Sequence, residues 1–127
     1  RLIMLFRKIT KEERYRFKVK RGIWNWGDDL RKCRELIVAE EDGLVVGLIT
    51  YVESSGRDPD FIGVGIVSVH PKFQGKGLAR GMINILFDQA WLLDKGVRVS
   101  PYTEQGKLKI KPIFEEFSSK FNIRLWH

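Results

Sequence analysis

The stretch that decides the fold reads Gln74-Gly75-Lys76-Gly77-Leu78-Ala79-Arg80. It follows a predicted β-strand, Val64–His70, and begins a predicted helix that runs to about Leu93. Glycines in such a turn let the backbone approach a ligand closely, and the unpaired N–H groups and dipole of the helix start attract an anion. Three side-chain cations flank the turn: Lys72, Lys76 and Arg80. The stretch therefore predicts a cradle for a pyrophosphate.

Two widespread phosphate loops do not fit these residues. The Walker pattern requires Gly, four residues and then Gly-Lys-Ser/Thr, and that string does not occur in the sequence. The dinucleotide fingerprint G-x-G-x-x-G would begin at Gly75, but Arg80 stands where its third glycine belongs.

Read from its first residue, the stretch is Gln74-x-x-Gly77-x-Ala79, which resembles the Q/R-x-x-G-x-G/A loop of the GNAT superfamily of N-acetyltransferases. The preceding Val67-Ser68-Val69-His70-Pro71 is similar to the V-x-V-x-P strand ending of that family. The resemblance is specific over residues 66–90 and agrees in element order over most of the remaining chain. It implies a compact acetyltransferase that uses acetyl-coenzyme A (acetyl-CoA) as co-substrate.

Length and composition set the broader limits. The 127 residues, 43% of them hydrophobic, predict one domain spanning 1–127 with a single core. No apolar run is long enough to cross a membrane, and the first residues lack the pattern of a signal peptide, so we expect a cytoplasmic protein. Cys33 is the only cysteine, which disfavours a metal site built from cysteines. The net charge of +7 suits an anionic partner, either CoA or nucleic acid.

The order of predicted elements is β-α-(α)-β-β-β-α-β-α-(β). Asp42-Gly43 predicts a hairpin turn between the second and third strands, and Gly63 and Gly65 predict a bulge in the fourth strand, Phe61–Val69. The helix after the glycine turn carries apolar residues at helical spacing: Leu78, Met82, Ile85, Leu86, Ala90 and Leu93. With the resemblance, this order predicts a GNAT-like three-layer α/β/α sandwich around a mixed central sheet splayed between strands four and five.

The resemblance also assigns the coenzyme contacts. It gives the backbone amides from Gly75 to Arg80 to the pyrophosphate and the backbone of Val67 and Val69 to the pantetheine arm, with the Val69 N–H near the thioester carbonyl. Ser100 or Thr103 would hydrogen-bond the pantetheine, although Thr103 fits a helix cap equally well. The predicted cofactor-binding residues are Val67, Ser68, Val69, Gln74, Gly75, Lys76, Gly77, Leu78, Ala79, Arg80 and Ser100.

Catalytic groups are harder to assign. An amine must lose a proton before it attacks a thioester, and the family often places a glutamate for this on strand three or four. Strand four has none here, so Glu53, at the end of strand three, is the candidate base, with a solvated strand-end charge as the alternative. The family often places a tyrosine on the last helix to donate a proton to the departing sulfur. The residue nearest that position here is Phe117, whose phenyl ring cannot donate a proton. Tyr102 is therefore the candidate acid, and a packing tyrosine is the alternative.

Trp24 and Trp26 lie where the family builds its acceptor pocket, although core packing explains two large aromatics as well. The predicted function is an acetyl-CoA-dependent N-acetyltransferase in which a primary amine of a small molecule or peptide attacks directly in a ternary complex. Two alternatives remain: a catalytically weak acyl-CoA-binding domain, and a basic module that binds nucleic acid. A homodimer is compatible with the sequence; a metal site and a membrane partner are not expected.

Overall fold

The computed structural model describes residues 4–9, 18–19, 35–54, 60–99 and 102–127. Its strands are β1 Met4–Ile9, β2 Lys18–Val19, β3 Glu35–Glu41, β4 Leu44–Glu53, β5 Phe61–Val69, β6 Gly96–Val99 and β7 Leu125–Trp126. Its helices are α1 Leu78–Leu93, α2 Glu104–Lys109 and α3 Lys111–Phe121, with a short 3-10 turn at Pro71–Phe73. Of the predicted helix after β1, the structure describes only Lys18 and Val19, and there the prediction is wrong, because these two residues form the strand β2 and pair with β4. The rest of that helix and the residues Trp24, Trp26 and Ser100 lie outside the described residues.

The described strands form one mixed sheet in the order β1-β3-β4-β5-β6-β7, with β2 paired to β4. The strands from β1 to β5 along this order are antiparallel, whereas β6 joins β5, and β7 joins β6, in parallel. The β3–β4 hairpin turns at Asp42 and Gly43, whose positive φ angles of 49° and 84° explain the Asp-Gly pair. The prediction of a mixed sheet with helices is confirmed.

A bulge interrupts the pairing of β4 with β5. Thr50 pairs with Ile66 but Tyr51 pairs with Val64, which leaves Gly65 as the extra residue. A Cβ at Gly65 would lie 2.8 Å from Thr50 Oγ1, so the bulge requires glycine there. On its other side, β5 pairs with β6 only over Phe61–Val64. The stretch after the bulge therefore continues beyond the end of β6, which is the predicted splay between the fourth and fifth strands of the family fold.

The core lies between one face of the sheet and the helices α1 and α3. The buried face of α1 consists of Leu78, Met82, Ile83, Leu86, Phe87 and Ala90. Phe87 packs against three phenylalanines of α3, with ring centroids 5.9 to 6.0 Å apart: Phe114, Phe117 and Phe121. Ile85, also predicted for this face, is partly buried and packs against the core. The prediction is wrong for Leu93, which is exposed, and Ile83 and Phe87, which the prediction omitted, are fully buried.

Candidate functional site

The site begins where β5 ends. The His70 amide donates to the Val46 carbonyl at 2.8 Å, and His70 Nδ1 accepts from the Lys72 amide at 3.1 Å. The ring of His70 is buried and therefore fixes the exit of the chain from the sheet. After the 3-10 turn, the side chain of Gln74 donates to the Val69 carbonyl at 3.2 Å, which ties the start of the glycine turn back to the strand.

Gly75 and Gly77 provide the turn itself. Their φ angles are +77° and +82°, a left-handed conformation that other residues adopt only with strain. Open space lies before both, because no atom lies within 4 Å of where a Cβ would be. Gly77 is also the N-cap of α1 and supplies no side-chain cap, so the first N–H groups of this 16-residue helix face that space without an intrahelical acceptor.

A groove of about 530 Å³ opens in front of these N–H groups. The end of β5 and the glycine turn form one wall, and α2 with the start of α3 forms the other. Predicted cofactor-binding residues that line the groove are Val67, Ser68, Val69, Gln74, Gly75, Gly77, Leu78, Ala79 and Arg80. Lys76 does not line it; its Nζ lies 5.4 Å from the ring centroid of Phe73. Lys109 lines the opposite wall, together with four residues that the sequence did not single out for the site: Gln105, Gly106, Ile110 and Ile113.

Thr103 marks where that opposite wall begins. Its hydroxyl accepts from the Gly106 amide at 3.1 Å and so caps α2, and the residue also lines the groove. The cap interpretation is thereby observed directly. A capping Thr before a short polar segment was the available sequence signal for this wall.

The backbone of β5 presents hydrogen-bonding groups to the groove. In an antiparallel ladder, hydrogen-bonded pairs alternate with pairs whose N–H and C=O groups point outward. The bond from the His70 amide to Val46 makes that pair hydrogen-bonded, so the next pair, Gly47 with Val69, points outward. By the same alternation Val67 points outward too. The backbone N–H and C=O groups of Val67 and Val69 therefore point away from β4, toward the edge of β5 that β6 does not cover.

Arg80, in the first turn of α1, reaches across to α3. Both of its terminal nitrogens bond the carboxylate of Glu116, Nη1 to Oε1 at 3.2 Å and Nη2 to Oε2. The guanidinium also lies 5.1 Å from the ring centroid of Phe117. The hydrogen bond to Arg80 holds the pKa of the Glu116 carboxyl below its usual value, and the same bond raises the pKa of Arg80. The arginine that lines the groove is therefore already paired with a carboxylate.

The structure does not bring Glu53 to this groove. Glu53 ends β4 opposite Ile62, and its carboxylate accepts from Gln89 of α1 at 3.2 Å and lies 3.7 Å from Lys8 Nζ. The groove starts at Val67, five residues farther along β5, which is about 17 Å at about 3.3 Å per residue. Its observed contacts attach α1 to the sheet.

Tyr102 is adjacent to the groove in sequence, but its hydroxyl is not in it. The hydroxyl oxygen is buried without a hydrogen-bond partner among the described residues. Its ring packs against Phe114 at 6.4 Å and His127 at 5.6 Å between centroids. Burial, and to a lesser extent the charge of Glu115, raises the pKa of the Tyr102 hydroxyl to about 12. These contacts are those of a packing tyrosine.

Two kinds of feature are absent from the described part of the chain. It contains no cluster of three or more His, Cys, Asp or Glu side chains that could hold a metal ion. None of its helices is both long and apolar enough to cross a membrane.

Comparison with known proteins identifies the family. A family described as the acetyltransferase (GNAT) domain matches residues 32–115. A search of curated protein sequences found no match. The fold is that of an α/β protein in which a splayed mixed sheet lies beside a helix start that no side chain caps. Because the family match covers more than half of the chain, the chain belongs to the GNAT acetyltransferases, as its loop predicts.

Solved structures agree on the fold. The aminoglycoside N-acetyltransferase AAC(6')-Iy in complex with CoA aligns with a TM-score of 0.62 and 12% identity, covering 100% of this chain and 91% of that one. The ribosomal-protein-alanine N-acetyltransferase from Brucella melitensis biovar Abortus 2308 gives 0.63 and 18%, covering 87% and 91%. The AtaT Y144F toxin, bound to the C-terminus of the antitoxin AtaR and acetyl-CoA, gives 0.63 and 12%, covering 94% and 99%. The predicted acetyl-CoA co-substrate agrees with the ligands of these complexes.

Proposed function

We propose that this chain binds acetyl-CoA in the groove and transfers the acetyl group directly to a primary amine in a ternary complex. The observation that carries the proposal is the meeting of two features at one groove: the uncapped start of α1 and the outward-facing backbone of Val67 and Val69. The first suits a diphosphate, and the second suits an amide-containing arm that extends the sheet like another strand.

In this proposal the diphosphate accepts hydrogen bonds from the amides of the glycine turn and of the first turn of α1. The pantetheine arm then lies along β5 in the space left by the end of β6. The thioester carbonyl lies near the Val69 N–H, which stabilises the oxyanion of the tetrahedral intermediate. The neutral amine forms the C–N bond, the C–S bond breaks, and the amine proton leaves to water as the thiolate departs.

A matched pair of glycine variants tests the binding step. Gly77→Glu puts a carboxylate into the anion site, whereas Gly43→Glu makes the same change in the β3–β4 hairpin. Both glycines have positive φ, +82° and +84°, and both face open space, so the conformational cost is similar. In calorimetry with CoA, the wild type and Gly43→Glu should bind and Gly77→Glu should not. No heat with the wild type, or equal binding by both variants, would refute the proposal.

A second candidate function follows from the positions of Glu53 and Tyr102. Neither side chain lines the groove, which favours a domain that binds acyl-CoA and turns it over slowly. A thiol-release assay with acetyl-CoA and a panel of amines separates the two functions. Release that depends on an amine supports the transferase; tight CoA binding without release on any amine supports the binding domain.

A further inference from the structure

Arg80 and Glu116 form a pair at the rim of the groove. Arg80 is the third residue of α1 and lines the groove, while Glu116 lies on α3 and bonds both terminal nitrogens of the guanidinium. Both side chains are half exposed, and the Phe117 ring supports one face of the guanidinium. Arginine binds phosphate in the same bidentate geometry with which it binds a carboxylate.

An anion in the groove would meet a guanidinium whose charge is already compensated. Two of its five N–H groups are occupied by Glu116, and the carboxylate itself repels a second anion a few ångströms away. The diphosphate of CoA carries the same sign of charge as Glu116. The internal carboxylate and the ligand therefore compete for one cation.

We propose that Glu116 competes with the diphosphate of CoA for Arg80 and so sets the affinity of the groove for its coenzyme. This inference rests on the proposed function, because it requires that the groove hold CoA. It adds that a residue of α3, outside the glycine turn, determines how tightly the coenzyme is held and released.

Glu116→Gln tests this directly, since the amide keeps one hydrogen-bond acceptor for Arg80 and loses the charge. Calorimetry should give a dissociation constant for CoA roughly threefold to tenfold lower than that of the wild type. Glu115→Gln is the matched control, with the same charge change on an exposed neighbour that faces another side of α3. Its dissociation constant should stay within about twofold of the wild-type value.

Three further measurements separate competition for Arg80 from a general charge effect. The gain from Glu116→Gln should disappear in an Arg80→Gln background, and it should be absent with pantetheine, which lacks the diphosphate. The affinity of Glu116→Gln should also fall more steeply with added salt than that of the wild type, because a cation has been freed.

The outcomes distinguish competition for Arg80 from the proposed binding of CoA itself. If the wild type does not bind CoA, the proposed function and this inference both fail. If the wild type binds CoA but Glu116→Gln binds equally or more weakly, or if its gain persists without Arg80, only the competition is refuted.

Discussion

The hydroxyl of Thr50 accepts a hydrogen bond from the Ile66 amide at 2.9 Å, at the point where Gly65 bulges out of β5. The bond gives the Ile66 amide a side-chain acceptor at the place where the bulge disrupts the regular ladder. Beyond it, β5 continues past the end of β6 and forms one wall of the groove, so Thr50 supports the splay beside which we propose that the coenzyme binds.

Thr50→Val should weaken both the fold and the site. Valine keeps the shape of the side chain but removes the hydroxyl acceptor of the Ile66 amide, and the loss of one such hydrogen bond costs about 0.5 to 1.5 kcal/mol. Urea unfolding should show that loss, and calorimetry should show weaker CoA binding. Thr50→Ser, which retains the hydroxyl, is the control and should lose much less. Equal losses in the two variants would mean that the methyl group, and not the hydrogen bond, matters here.

Gly65→Ala gives an independent test of the same bulge. The added Cβ would lie 2.8 Å from Thr50 Oγ1, closer than carbon and oxygen can approach, so we expect a loss of about 1 to 3 kcal/mol in the free energy of unfolding. In a Thr50→Ala background the clashing oxygen is gone, and the same substitution should cost clearly less. A double-mutant cycle measures this coupling. An identical cost in both backgrounds would contradict the contact.

The features that the sequence predicted correctly are those that local chemistry determines. Asp42-Gly43 and Gly75-x-Gly77 require left-handed backbone, and glycine or aspartate is the signal for it. The bulge at Gly65 follows the same logic. Each of these can be recognised within a window of a few residues, because the constraint acts on the residue itself.

The features that sequence analysis missed depend on distant partners. Which side of α1 is buried is decided by α3, so Phe87 replaces Leu93 in the core. α2 and the start of α3 lie opposite the glycine turn and form the second wall of the groove. The register of β4 points Glu53 at Gln89 rather than at the groove. No local pattern encodes any of these three contacts.

Gly81→Ala should destabilise the protein although alanine favours helix over glycine by about 1 kcal/mol. The added methyl would lie 2.6 to 2.9 Å from three ring atoms of Phe6 on β1. Either the strand β1 or the Phe6 ring must therefore shift. In a Phe6→Leu background the ring is absent, and Gly81→Ala should become neutral or stabilising. Thermal unfolding of the four combinations checks this reversal of sign. Stabilisation by Gly81→Ala in the wild-type background would show that β1 does not pack there.

Tyr102→Phe should leave acetyl transfer unchanged, because the hydroxyl lies outside the groove and stays protonated at neutral pH. Burial raises its pKa from 10.0 to about 12 in the folded protein. Since the unfolded chain ionises first, the tyrosine favours unfolding progressively as the pH rises between those two values. Tyr102→Phe should therefore lose less stability than the wild type across that range, measured by urea unfolding at pH 8, 10 and 11. A drop in turnover with unchanged CoA affinity would instead assign the hydroxyl to the reaction.

Glu53→Gln should retain wild-type turnover, since its carboxylate lies at the opposite end of β5 from the groove and contacts Gln89 and Lys8. Its stability should change by no more than about 0.5 kcal/mol, because exposed pairs of this kind contribute little. The sharper measurement is the pH profile of kcat/KM with one amine. If Glu53 were the base, its removal would abolish the acidic limb of the profile along with most of the activity. If it only attaches α1 to the sheet, the profiles of wild type and variant should superimpose, and the acidic limb should follow the pKa of whichever amine is supplied.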